Sequence, residues 1–264
     1  VWQFLDRLSR PRVIVVNKMD KEHADYGKCL KDCQEALGAR TAPVTIPIGS
    51  ADSFKGIVNL IDEKAYIYDG PGKFRKEDIP ADMADEVADL RMQLIEAAAE
   101  SDEALMEKFF SEETLSKEEI LRGLKAGVAA ATIVPALAAA ATKGVGVEPL
   151  LDLIVGVMPS PADTPDAVGM KPRSEDQITR SCDSNGPFAA LVFKTVAEQH
   201  VGELSYFKVY SGSASSGTEV LNANNDHSER MGTVYAMVGR ERNEMESVDA
   251  GDIGAVVKLK TTHT

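Results

Sequence analysis

The sequence predicts an α/β domain carrying an α+β insertion, followed by an all-β barrel. Three observations lead there. The run Val13-Ile14-Val15-Val16 is wholly apolar and β-branched, lies just past the breaker Pro11, and precedes a helical stretch, which is the pattern of a parallel sheet. A second apolar run, Ile133 to Ala138, restores that pattern after a segment of different character. From Pro187 onward, short strand-like runs separated by Gly, Asn and Ser follow one another with no helix signal, as in a small barrel.

Taken in order, Val1, Leu5 and Leu8 have helical spacing, and Pro11 ends that helix. The strand Val13–Val16 reads as buried on both faces. A helix from about Ala24 to Leu37 is stopped by Gly38. Residues 1–40 form the first segment of the α/β domain. Residues 41–131 form the insertion: Val44 to Ile48 and Lys55 to Tyr68 read as short strands. After Asp78-Ile79-Pro80 comes a long helix. Its apolar face holds Met83, Val87, Leu90, Leu94 and Ala97; its opposite face holds Asp82, Asp85, Glu86, Asp89, Glu96 and Glu100. A further helix begins at Ser116, where Glu119 completes a capping box and Leu115 and Ile120 occupy the staple positions.

Residues 132–158 resume the α/β pattern. Pro135 restricts the strand Ile133–Ala138 to a sheet edge or a strand start. Gly144-Val145-Gly146 turns the chain into a helix from Pro149 to about Val157. Residues 159–186 are polar and proline-rich and read as linker. Residues 187–264 form the barrel, with strands expected at Phe188–Val196, Leu204–Tyr210, Thr218–Leu221, Met231–Val238 and Asp252–Leu259.

Composition narrows the function. The 264 residues carry a net charge of −13, which argues against a protein that simply coats nucleic acid, since phosphate neutralisation needs clustered Lys and Arg. No stretch approaches the roughly 20 apolar residues of a membrane span. Three cysteines, Cys29, Cys33 and Cys182, form no disulfide framework, and four scattered histidines offer no zinc spacing. Cys29 and Cys33, four apart on one helix, read as small reduced core residues, and a reducing cytoplasmic setting follows. Val1 to Asp6 has neither an initiator Met nor a signal peptide, and both ends read as cut from a longer chain.

The sharpest local signal is Asn17-Lys18-Met19-Asp20, directly after the first strand, because ligands in α/β folds bind at the carboxyl ends of strands. Asp20 can accept two parallel hydrogen bonds from the N1–H and 2-amino group of guanine. Adenine lacks that donor pair and would leave the carboxylate unsatisfied. Lys18 can lay its stem across the base, and Asn17 can pin the loop and reach the base edge. The bland alternative is a polar loop with Asp20 as a helix cap.

Val15-Val16-Asn17-Lys18-Met19-Asp20 resembles the fourth guanine-binding motif of elongation factor G, one of the translational GTPases. The resemblance continues collinearly through Pro47-Ile48-Gly49-Ser50, Gly56-Ile57-Val58-Asn59-Leu60-Ile61, Asp78-Ile79-Pro80-Ala81-Asp82-Met83, Gly146-Val147-Glu148-Pro149-Leu150-Leu151-Asp152 and Val209-Tyr210-Ser211-Gly212. It implies a partial P-loop GTPase domain and a parent protein that uses GTP and magnesium, cycling to GDP, to drive tRNA and mRNA translocation on the ribosome. Implied partners are ribosomal RNA and the ribosomal stalk protein, the latter through the insertion's acidic helix; a monomer is expected. The family's fifth motif, usually Gly-Ser-Ala, falls on Ala139-Ala140-Ala141, a departure. Ala140 and Ala141 are expected to contribute through the backbone, and Lys143 follows them. No Gly-x-x-x-x-Gly-Lys-Ser/Thr is present, and the Asp-x-x-Gly at Asp166 to Gly169 lies in the polar stretch. The 264 residues alone are therefore expected not to hydrolyse GTP. Alternatives are a paralogue without translocation activity, a release-factor-recycling or ribosome-protection GTPase, and a non-catalytic ribosome-binding module.

Overall fold

The apolar run at the start of the chain does form a strand, and it pairs in parallel with the second apolar run. The computed structural model describes residues 1–37, 40–198, 202–257 and 259–264; Gly38 and His200 lie outside them. The chain divides into two compact units, Val1–Pro159 and Ser160–Thr264.

In the first unit the elements are α1 (Trp2–Arg7), β1 (Ile14–Val16), α2 (Tyr26–Leu37), β2 (Arg40–Pro43), β3 (Thr45–Ile48), β4 (Gly56–Asn59), β5 (Lys64–Gly70) and β6 (Lys73–Glu77). Then follow α3 (Ala84–Ala99), α4 (Glu103–Glu112), α5 (Lys117–Ala129), β7 (Ile133–Ala138) and α6 (Val147–Val157). The parallel sheet has the order β1-β7-β2. All of β7 is buried, whereas Val15 of β1 is 38% exposed. The expectation that β1 is buried on both faces is thus corrected: β1 is an edge strand of the described sheet, and β7 is the central one.

Pro135 does not hold its strand at an edge as expected; it sits in central β7, opposite Ala42 of β2. The ladder tolerates it because β1 begins to pair one residue later, at Ile14 and Ala136. The missing N–H therefore falls beyond the end of β1. The short strand β2, with Thr41 and Pro43 among its residues, carries no periodicity that distinguishes it from a loop, and it straddles the 40/41 boundary expected between domain and insertion. Val44 then joins two sheets: its N–H donates to Ala136 O at 2.8 Å and its carbonyl accepts from Leu60 N at 3.0 Å.

Strands β3 to β6 form an antiparallel meander, and α3 to α5 pack beside it. Ala97, Ala98 and Ala99 of α3 are fully buried. Their small side chains let α5 approach so closely that a Cβ on Gly123 would lie 2.3 Å from the Ala98 carbonyl oxygen. The capping box forms as expected, with Ser116 N donating to Glu119 Oε2 at 2.8 Å and Glu119 N to Ser116 Oγ at 3.3 Å; Leu115 and Ile120 are buried beneath it. Helix α4 is not expected from the sequence. Asp102 caps it by accepting from Leu105 N at 3.1 Å, but Leu105 is its only buried residue, so its sequence shows little apolar periodicity. Cys29 is exposed and Cys33 half-buried, a correction: α2 turns Tyr26 and Leu30 inward, and the cysteines fall off that face.

The second unit comprises β8 (Ala167–Met170), β9 (Gln177–Arg180), β10 (Ala189–Glu198), β11 (Gly202–Ser211), β12 (Ser213–Ser215), β13 (Glu219–Asn222), β14 (His227–Arg230), β15 (Val234–Val238), β16 (Glu241–Glu244), β17 (Ser247–Asp249) and β18 (Ile253–Val257). A five-stranded antiparallel sheet, β10-β11-β18-β15-β16, is joined by the two-stranded pairs β12-β17, β13-β14 and β8-β9. Phe207, Val209, Val234, Val248 and Val256 fill its core. The polar stretch expected as linker carries the hairpin β8-β9, and Asp166 to Gly169 falls at its start.

Candidate guanine-reading site

Two loops leave the carboxyl ends of the adjacent strands β1 and β7, the position at which α/β sheets hold ligands. Ala139 N donates to Val16 O at 3.0 Å, and Met19 N donates to Ala139 O at 3.1 Å, so the loops continue the strand pairing past its last register position. Lys18 adopts φ +65°, a left-handed turn that lets the chain reverse. That turn exposes Asn17 and Lys18 and buries Met19 and Asp20.

The Asn17 side-chain carbonyl oxygen accepts from Lys18 N at 2.8 Å and from Ala141 N at 3.0 Å. One side chain thus fixes its own turn and ties it to the second loop, leaving its amide nitrogen for other partners. Ala140 is fully buried and pairs with Val145 in both directions, at 3.0 and 3.3 Å. The N–H groups of Ala140 and Ala141, expected as backbone contributors, are both engaged within the protein. They act as the scaffold of the loop. Gly146 closes that loop at φ +78°, where a Cβ would meet the Ala138 carbonyl oxygen at 2.4 Å; only glycine fits.

Asp20 is the buried carboxylate of these two loops. Its side chain is 2% exposed, and neither carboxylate oxygen receives a well-formed hydrogen bond. Lys21 Nζ lies 3.2 Å from Oδ2 and Lys143 Nζ 3.7 Å from it. Burial pushes the carboxyl pKa up, but Lys21, by close approach and charge, and Lys143 together bring it below its ordinary value. The result is an ionised, buried carboxylate whose Oδ2 lies beside two ammonium groups and whose Oδ1 has no well-formed hydrogen bond, an arrangement that leaves acceptor capacity for a ligand. Guanine fits that requirement: N1–H and the 2-amino group present two adjacent donors. Among the described residues no group of three or more His, Cys, Asp or Glu could hold a metal ion.

Lys21 carries no motif that marks it in the sequence, and neither do the contacts by which the insertion supports the second loop. Tyr68 of β5 donates to Glu148 Oε2 at 2.9 Å at the start of α6. Gly144, at φ +68°, packs against Pro71, where a Cβ would stand 2.8 Å from the Pro71 Cα. Each of these two contacts joins residues more than seventy positions apart, so no local signature announces it.

Residues 1–160 match the family model of the elongation factor Tu GTP binding domain, and residues 187–264 match that of elongation factor G domain 2. The chain is also similar to the crystal structure of a protein from Thermus thermophilus, with a TM-score of 0.81 and 28% identity over 99% of this chain. It spans 36% of the length of that structure. With a GTP-binding domain followed by a β-rich second domain, in this order, the chain belongs to the translational GTPases of the elongation factor G type.

Proposed function

We propose that these residues read guanine for a ribosome-dependent translational GTPase whose parent protein promotes tRNA and mRNA translocation during elongation. The observation that carries this is the buried Asp20 carboxylate at the strand ends, whose Oδ1 has no well-formed hydrogen bond, held beside a loop that Asn17 ties in place. Asp20 takes the two guanine donors, the Lys18 stem covers the base face, and the Asn17 amide nitrogen reaches the base edge. Ala140 and Ala141 hold the loop geometry. Phosphate and magnesium binding belong to parts of the parent outside these 264 residues, so GTP hydrolysis is a property of the parent. The protein acts in the cytoplasm as a monomer.

The outward face of α3 supports a ribosomal stalk contact. Glu96 and Glu100 are engaged by Arg40, whereas Glu86 and Asp89 are exposed and free to meet basic residues. Reversal of Glu86 and Asp89 to Lys weakens stalk-protein binding on this account; unchanged affinity contradicts it. The second unit contacts ribosomal RNA. A second reading, a paralogue without translocation activity, is favoured by Ala139-Ala140-Ala141 standing where the family usually has Gly-Ser-Ala.

The test is Asp20→Asn. An amide in place of the carboxylate presents one donor and one acceptor, which suits xanthine with its 2-oxo group. The variant therefore shifts preference from guanosine to xanthosine nucleotides. If it binds both as the parent chain does, Asp20 does not read the base, and a non-catalytic ribosome-binding module becomes the better description.

A further inference from the structure

Behind the guanine-reading loop lies a second concavity that the proposed function does not use. It is a cleft of about 650 Å³ between the start of α2, the end of β3 and the start of α3. Met19, Ile48 and Met83 give it apolar walls, and Asp25, Asp82 and Glu86 stand at its margin. Asp25 is partly engaged, accepting from Lys28 N at 2.9 Å. Among the described residues Asp82 and Glu86 enter no ion pair, and Lys55 is the one cation lining the cleft. Its margin is therefore net negative.

Tyr26 lines the same cleft, is 4% exposed, and its hydroxyl has no hydrogen-bond partner. An orphaned buried hydroxyl destabilises the protein that carries it and calls for a partner. Burial raises the phenol's pKa well above its ordinary value, with Cys33 and Glu86 adding to the effect. The group therefore remains a neutral O–H within the field of Glu86. Its oxygen lone pairs are left to accept from a donor that enters beside that carboxylate.

We propose that this cleft binds an aliphatic ammonium group on a short apolar stem, attracted by Asp82 and Glu86 and donating to the Tyr26 hydroxyl oxygen. Apolar walls with a negative margin match that ligand and disfavour a phosphate or a carboxylate. Two sources share the chemistry, a free linear polyamine and a lysine side chain. The cleft also adjoins the guanine loop. Met19 forms its wall, and the Met19 carbonyl accepts from Ala51 N at 2.9 Å while its N–H donates to Ala139 O at 3.1 Å. Occupancy thus bears on the residue preceding Asp20; this coupling, unlike the binding itself, rests on the guanine-reading proposal.

The experiment is calorimetric titration of the 264-residue chain, at about 0.15 M salt to screen its general negative charge, with spermidine and separately with Nα-acetyl-lysine methylamide, whose side-chain ammonium is free. The expected result is single-site saturation. Binding is about tenfold weaker in Tyr26→Phe and in the Asp82→Asn/Glu86→Gln variant, the change expected for one lost charge-assisted hydrogen bond. Tyr26→Phe also removes an unsatisfied polar atom, so the ligand-free variant melts no lower than the parent chain. Fold loss and ligand loss are thereby separated. Saturation by spermidine identifies a free polyamine as the source; saturation by the lysine derivative alone identifies a protein side chain. Failure of both to saturate, or equal binding by Tyr26→Phe, overturns the proposal. Neither result depends on whether Asp20 reads guanine.

Discussion

The Asn17 side-chain carbonyl oxygen accepts the Ala141 N–H at 3.0 Å, joining two loops 124 residues apart in the chain. The insertion and its helices lie between them in sequence. The bond therefore forms only once β1 and β7 lie side by side. Asn17→Ala removes the tie and takes the acceptor from both the Lys18 and the Ala141 N–H. The expected cost is about 1 kcal/mol of stability, with faster hydrogen exchange at Ala141. Unchanged protection at Ala141 shows that the tie does not order the loop.

Close approach of α3 and α5 gives a sharper prediction. Gly123→Ala places a methyl group against the Ala98 carbonyl and destabilises the first unit by roughly 2 kcal/mol or more. Gly156 is the matched control. It also lies in a helix, but a Cβ there meets nothing within 4 Å. Gly156→Ala is therefore neutral or stabilising by up to about 1 kcal/mol. Denaturant melts of the two variants must move in these different directions.

The helix caps differ in what they support. Ser116 caps α5, which buries Ile120, Leu124 and Val128, while Asp102 caps α4, which buries Leu105 alone. Ser116→Ala costs about 1 kcal/mol of global stability. Asp102→Ala chiefly frays α4, raising exchange at Leu105 and neighbouring amides with a smaller change in the global transition. Equal global effects would contradict this division.

Acid sensitivity follows from carboxylates held ionised. Lys108 and the Ser116 backbone lower the Glu119 pKa from 4.5 to about 2. Burial opposes ionisation of Asp62, but Lys117, Lys76 and Tyr66 together carry its pKa well below the ordinary range. A group whose folded pKa is depressed contributes stability above its unfolded pKa and loses it as the pH falls through the folded value. For Glu119 that loss runs from about 4.5 down to about 2. Lys108→Met narrows the gap between folded and unfolded pKa, so stability in this variant varies less steeply over that window. A pH–stability curve parallel to that of the parent chain contradicts the assignment.

How much of this was legible in the sequence depends on whether a feature is local. Asn17 to Asp20 is a contiguous tetrapeptide after an apolar strand, so the loop and its place at a strand end are readable without coordinates. The Ser116 and Glu119 capping box is likewise a three-residue offset. Strand β2 is not readable, because Arg40 to Pro43 becomes a strand only by pairing with β7, about ninety residues on. Pro135 misleads for the same reason: its tolerance depends on where β1 happens to begin. The hairpin β8-β9 and the polar strands β14 and β16 hide in composition typical of loops, since they bury almost nothing. The support that Tyr68 gives Glu148, the burial of the Asp20 carboxylate between Lys21 and Lys143, and the unpartnered Tyr26 hydroxyl exist only in three dimensions.

The most direct test of the guanine-reading account is an NMR titration of the isotopically labelled chain with guanosine and, separately, adenosine. Guanosine is predicted to shift the amides of Lys18, Asp20 and Ala141 in a saturable manner, with the shifts lost in Asp20→Asn, while adenosine leaves them in place. Equal responses to the two nucleosides, or shifts that persist without the Asp20 carboxylate, contradict the account.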